Sequence, residues 1–157
     1  MDYTYGLAIG FHTLAATVWV GGMFFAHMIL RPALAGLEPA QRLGVWREVF
    51  PRFFLWVWLS IAALLASGYG VLLVGFRAGF GGGPNHVDLM QLTGLVMMAL
   101  YVQLFFGPWR GFKRAFAEGD LAAAAGYQTR IRHIVTVNLA LGIVTILIGT
   151  VGALLGA

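Results

Sequence analysis

Long stretches without a single charged side chain alternate along this chain with short basic connections. Residues 5–30, 53–76, 89–106 and 134–155 contain no Lys, Arg, Asp or Glu, and each is close to the ~20 residues that a helix needs to cross the hydrocarbon of a bilayer. Runs that are apolar all round, and not on one stripe, predict membrane helices and not the surface helices of a soluble domain. All five prolines (Pro32, Pro39, Pro51, Pro84 and Pro108) fall between these runs, where a missing backbone donor does no harm to a helix. The pattern predicts an all-α fold, a transmembrane four-helix bundle forming one domain over residues 1–157.

The connections carry fewer signals. Glu38-Pro39-Ala40-Gln41-Arg42 places Pro where a helix start favours it and predicts a short interfacial helix through Phe50. Asp120 is a candidate cap for a helix running from Leu121 into the fourth span. The stretch from Gly79 to His86 is read as a loop; it is rich in glycine but lacks the Lys-Ser/Thr ending of a phosphate-binding loop. Trp109 is placed at the interface as an anchor.

Composition agrees with a membrane class. Of 157 residues, 60% are hydrophobic and 10% charged, with a mean hydropathy of +0.83, outside the range of soluble domains. The basic pI of about 10.0 does not mark a nucleic-acid protein, because the cations are segregated. Nine of the ten Lys and Arg lie in the first connection (Arg31, Arg42, Arg47, Arg52) and the third (Arg110, Lys113, Arg114, Arg130, Arg132). By the positive-inside rule these two connections are expected in the cytoplasm and both termini outside, on the periplasmic side of a bacterial cytoplasmic (inner) membrane. The Met1-Asp2-Tyr3 start lacks the positive region of a secretory signal, so the first span is expected to be retained. With no cysteine, disulfides, thiolate metal sites and c-type haem attachment are excluded.

Chemistry is sparse enough to be conspicuous. His12 sits inside the first apolar run, where an ionisable ring is costly unless a hydrogen bond, a metal or a cofactor satisfies it. It shares a helical stripe with Ala16, Trp19 and Met23, and a parallel stripe on the third span holds Met90, Gly94, Met97 and Tyr101. At 1.5 Å per residue, His12, Met90 and the loop residue His86 fall in the outer half of the bundle, which predicts that the first and third spans face each other across a site there. Gly94 is read as the gap for a flat cofactor, and Met97 as a further soft ligand. His27 and His133 share the opposite depth and form a second, weaker pair. Gln91, Gln103 and Asn138 are candidates for hydrogen bonds between helices.

Several of these residues also carry a resemblance. His12, Trp19-x-Gly21-Gly22-Met23-Phe24-Phe25, Leu30-Arg31-Pro32, Arg52-Phe53-Phe54, Leu89-Met90-Gln91, Gly107-Pro108-Trp109-Arg110, Arg130-Ile131-Arg132 and Asn138-Leu139-x-Leu141-Gly142 together resemble the short form of the CopD-like copper-resistance membrane family. That resemblance implies copper uptake or tolerance. His12, Trp19 and Gly22 are also similar to the first helix of HemJ-type four-helix protoporphyrinogen oxidases, which implies b-type haem. The later Lys of that family corresponds here to Met90, a residue able to ligate haem iron.

Three readings follow. In the first, haem b is held by His12 with Met90 or a histidine opposite, beside Trp19 and Gly94, for membrane redox chemistry. In the second, copper is held by His12, Met90, His86 and Met97. In the third, the bundle is metal-free and structural or partner-binding. The lipid bilayer is the one partner common to all three; a second copy or a membrane redox partner is compatible with each. The charge asymmetry generates a first prediction. Alkaline phosphatase fused after Ala157 is expected to be active and a fluorescent protein at the same place dark; the reverse pattern would invert the orientation.

Overall fold

The computed structural model describes residues 3–75 and 84–155. Helix α1 (Tyr3–Phe24) runs on through a π-helical stretch, Phe25–Leu30, into the single turn α2 (Arg31–Ala33). Helix α3 (Pro39–Gly70) likewise passes into π-helical Val71–Gly75, and α4 (Asn85–Phe106), α5 (Pro108–Ala117) and α6 (Leu121–Leu155) complete the chain. Four of these stretches, Tyr3–Ala33, Pro39–Leu73, Asn85–Ala117 and Leu121–Leu154, are long and apolar enough to cross a membrane. Phe11, Leu55, Leu92 and Leu147 are among many large apolar side chains left exposed, as expected of a bundle solvated by lipid. The protein is an integral membrane four-helix bundle.

Two corrections concern helix boundaries. The short helix expected to end at Phe50 and the second span are one helix of 32 residues with Pro51 in its interior. Interior Pro costs about 3 kcal/mol through its lost hydrogen bond and ring clash. An aromatic ladder carries the helix across it: Trp46 stacks on Phe50 at 5.0 Å, and Phe50 on Phe54 at 5.4 Å. Trp109 and Phe112 of α5 meet Phe50 edge-on at 5.6 and 5.8 Å. Aromatic pairs contribute about 0.5–1.5 kcal/mol each beyond their burial, so this cluster offsets the proline. Trp109 is therefore core, 4% exposed, and not an interfacial anchor. The second boundary is that of α4, which already begins at Asn85, so His86 stands on a helix and not in the preceding loop. Residues 76–83 of that loop lie outside the described residues.

The basic connections are tightly built. Gly107 separates α4 from α5, because a Cβ there would lie 2.8 Å from the Gln103 carbonyl oxygen, and Pro108 starts the next helix. Gly119 ends α5 with φ +75°. Its N–H donates to the Phe116 carbonyl at 3.2 Å and the Asp120 N–H to that of Ala115 at 3.0 Å, the paired bonds of a Schellman cap. Asp120 then caps α6 as expected, its Oδ1 accepting from the Ala123 N–H at 2.9 Å.

Packing divides the bundle into two pairs, α1 against α3 and α4 against α6, with α5 laid on α6 and a smaller α1–α6 contact between them. Small residues set the close approaches. A Cβ on Gly22 would meet the Phe53 ring at 2.7 Å, and one on Gly142 would meet Val20 at 2.7 Å and Met97 at 3.2 Å. Asn138 crosses from α6 to α4, its amide donating to the Met97 carbonyl at 3.1 Å. The hydroxyls of Thr145 and Thr93 are 2.8 Å apart on the same seam. Between the pairs, Tyr101 of α4 lies edge-on to Trp58 at 5.1 Å, Phe54 at 5.9 Å and Trp19 at 6.2 Å. Its hydroxyl donates to the Phe54 carbonyl at 3.0 Å.

Gly142→Leu is expected to lower the unfolding midpoint in mixed micelles by about 1–3 kcal/mol of overpacking. Gly126→Leu, where nothing lies within 4 Å of a Cβ, is expected to change it by less than about 0.5 kcal/mol. Equal midpoints for the two variants would overturn Gly142 as a point of close approach.

Candidate functional site

His12 lies on the inward stripe of α1, between half-buried and buried neighbours such as Trp19. Its ring packs against α3, where a Cβ on Gly68 would stand 3.1 Å from His12 Cε1. His12 Nδ1 is 3.0 Å from Ser67 Oγ, while Ser67 Oγ is 2.6 Å from the Ala63 carbonyl oxygen. A serine hydroxyl has one hydrogen. Donated to the Ala63 carbonyl, it leaves Ser67 Oγ as the acceptor, so the proton between the two side chains sits on His12 Nδ1. This arrangement favours the Nδ1–H tautomer, and the Leu64 backbone carbonyl also takes a hydrogen bond from the ring.

The other expected ligands face a different seam. Met90 lies against Gly149 of α6, its Sδ 2.7 Å from where a Cβ would be, and His86 Cβ lies 2.4 Å from the same position at Gly152. Met97 is buried two turns further in; its Sδ is 3.9 Å from Thr145 Oγ1. The residues His86, Met90, Thr93 and Met97 thus run in a line along α4 facing α6. The expectation that the first and third spans pack directly is corrected accordingly, since α1 and α4 meet through the Trp19–Tyr101 ring contact, whereas the close backbone partners are α3 and α6 respectively. Nor is Gly94 a point of close approach, for nothing lies within 4 Å of its Cβ position. Among the described residues, no three of His, Asp and Glu cluster as a metal site.

At the basic end of the bundle the structure assembles a group that sequence reasoning did not. The π-helical stretch Phe25–Leu30 carries His27 toward α6, where its Nδ1 is 3.4 Å from Thr136 Oγ1. His133, its expected partner, is exposed. A cavity of about 30 Å³ opens beside His27, lined also by Arg31, Trp46, Gln128 and Arg132 within an otherwise apolar wall. Trp46 is 5% exposed, and its indole N–H has no acceptor. π-Helical turns recur at functional positions, but the i→i+5 shift that re-aims His27 leaves no trace in residue spacing.

The class defined by these features is an integral membrane four-helix protein with a half-buried histidine and a basic end. The chain is 31% identical over 111 residues to an uncharacterized protein of Aquifex aeolicus (strain VF5), an alignment covering 68% of this chain and 71% of that one; it belongs to the same family. No family model matches the chain, and no solved structure matches it.

The tautomer can be read directly. In nitrogen spectra of histidine-labelled protein, His12 is expected to carry its proton on Nδ1, and Ser67→Ala to shift the population toward Nε2–H. A wild-type protein already protonated on Nε2 would overturn the hydrogen-bond direction assigned here.

Proposed function

We propose that the protein is a membrane redox protein that binds b-type haem through His12. The observation that carries this reading is the Ser67 hydroxyl on His12 Nδ1, 3.0 Å away, because a ligating imidazole needs its second nitrogen held by an acceptor. The donor set fits one protein ligand. Met90, offered by its spacing as the opposite ligand, is committed to the α6 seam at Gly149, so the pairing of His12 with Met90 is not proposed. Haem supplies one-electron chemistry when bound. Ser67 fixes the ring plane, Gly68 lets the ring approach α3 without a Cβ in the way, and the apolar bundle excludes water from the imidazole.

The copper reading has one observation in its favour, the alignment of His86, Met90 and Met97 along the α4–α6 seam, with soft thioether donors suited to Cu(I). Absorption spectra and metal analysis of one detergent-purified sample separate the two. The haem reading expects a Soret band that His12→Ala abolishes and Met90→Leu leaves in place, with Ser67→Ala retaining haem at a shifted midpoint potential. Copper without a Soret band, lost in Met90→Leu and kept in His12→Ala, would replace haem by the second reading. Neither chromophore nor copper after expression with both supplied would remove both.

A further inference from the structure

The cavity beside the π-helical turn has a mainly apolar wall, and the polar side chains on it, His27, Arg31, Trp46, Gln128 and Arg132, include no carboxylate. An indole N–H and a guanidinium have no acceptor. Trp46 is buried with its N–H unpaired, a state that costs about as much as a lost hydrogen bond unless something accepts from it. Neither Arg31 nor Arg132 pairs with a carboxylate among the described residues, the Arg52–Glu48 pair at 3.0 Å being a separate contact.

We infer that this cavity is a binding site for a phosphate oxyanion. The cavity's volume of about 30 Å³ exceeds the ~10–15 Å³ that a single water needs, room for one oxygen of a phosphate on the wall that Trp46 helps to form. The rest of the group stays at the mouth, where Arg31 is exposed and Arg132 half-exposed and planar guanidinium groups bind phosphate in bidentate fashion. Gln128 supplies an amide on the same wall, and His27, held near Thr136, closes the side toward α6. The site stands at the arginine-rich end of a membrane bundle, the depth at which basic pockets between helices meet lipid headgroups. The same chemistry is offered by a phospholipid headgroup and by a soluble phosphate.

The test uses the full chain in detergent, with phosphatidylglycerol, diacylglycerol and inorganic phosphate as probes. Native mass spectrometry is expected to find phosphatidylglycerol retained in preference to diacylglycerol, which lacks the phosphate. Trp46→Phe, which keeps the aromatic bulk, is expected to weaken retention about three- to tenfold, the loss of one hydrogen bond. Arg31→Gln combined with Arg132→Gln is expected to weaken it more than tenfold, whereas Arg47→Gln, exposed outside the cavity, leaves it unchanged. Displacement of the lipid by millimolar inorganic phosphate, together with phosphorus line broadening that Trp46→Phe removes, identifies a soluble anion as the source; retention without displacement identifies the headgroup. The inference is overturned if wild type, Trp46→Phe and the arginine double variant hold both phosphate probes equally well, or if none of them holds either.

Discussion

Tyr101 is the junction on which the arrangement of the two helix pairs depends. The backbones of α1 and α3 pack closely, as do those of α4 and α6, but the pairs meet largely through rings. In hydrocarbon there is no hydrophobic force to press helices together, so packing and buried polar bonds must do it. Tyr101 supplies both. Its ring touches Trp19 of α1 and Phe54 and Trp58 of α3, and its hydroxyl is bonded to the Phe54 carbonyl. Because that carbonyl belongs to the residue whose ring Tyr101 also packs on, one side chain sets both the spacing and the axial register of the two pairs.

The ladder above Phe54 extends this order to the basic end. Trp46, Phe50 and Phe54 stack along one face of α3, and Trp109 meets both Phe50 and Phe54. The face that crosses Pro51 is thus the face that seats α5. The cationic connections are held against this aromatic cluster: Lys113 lies over the Trp109 ring at 5.3 Å and Arg47 over Phe116 at the same distance. Positive charge that sequence reading assigns to topology is also fixed in place by ring faces.

The extent of each apolar run, the existence of four spans, the Asp120 cap and the Asn138 bridge were legible in the residues, because each depends on local composition or on a polar group that must find a partner in lipid. What was not legible depends on contacts between distant segments. Ser67 lies 55 positions from His12, and nothing in the neighbouring sequence marks it out from Ser60, the serine of the same helix that is fully buried. Gly94 looked like a gap because it shares a stripe with Met97 and Tyr101, yet the seam that needs small residues is on α6, at Gly142, Gly149 and Gly152. Pro51 looked like a boundary because local propensity ends helices there; stacking between residues four apart overrides it. His27 looked peripheral because a spacing of 3.6 residues per turn fails once the helix widens.

The division into pairs follows chain order: α1 and α3 are successive spans joined by the first basic connection, and α4 and α6 are successive spans joined by the third. Each pair is a helical hairpin whose internal contacts are complete before the other pair exists. During synthesis the first hairpin can enter the bilayer and close on Gly22 and Gly68 while α4 is still unmade, and the second can close on Gly149 and Gly152 independently. Only the meeting of the two pairs requires the whole chain: the rings around Tyr101, the seat of α5 on Phe50, and the approach of Gly142 to Val20. The bundle is therefore built to mature in the order in which it is translated, with the joining of its two hairpins left to the end.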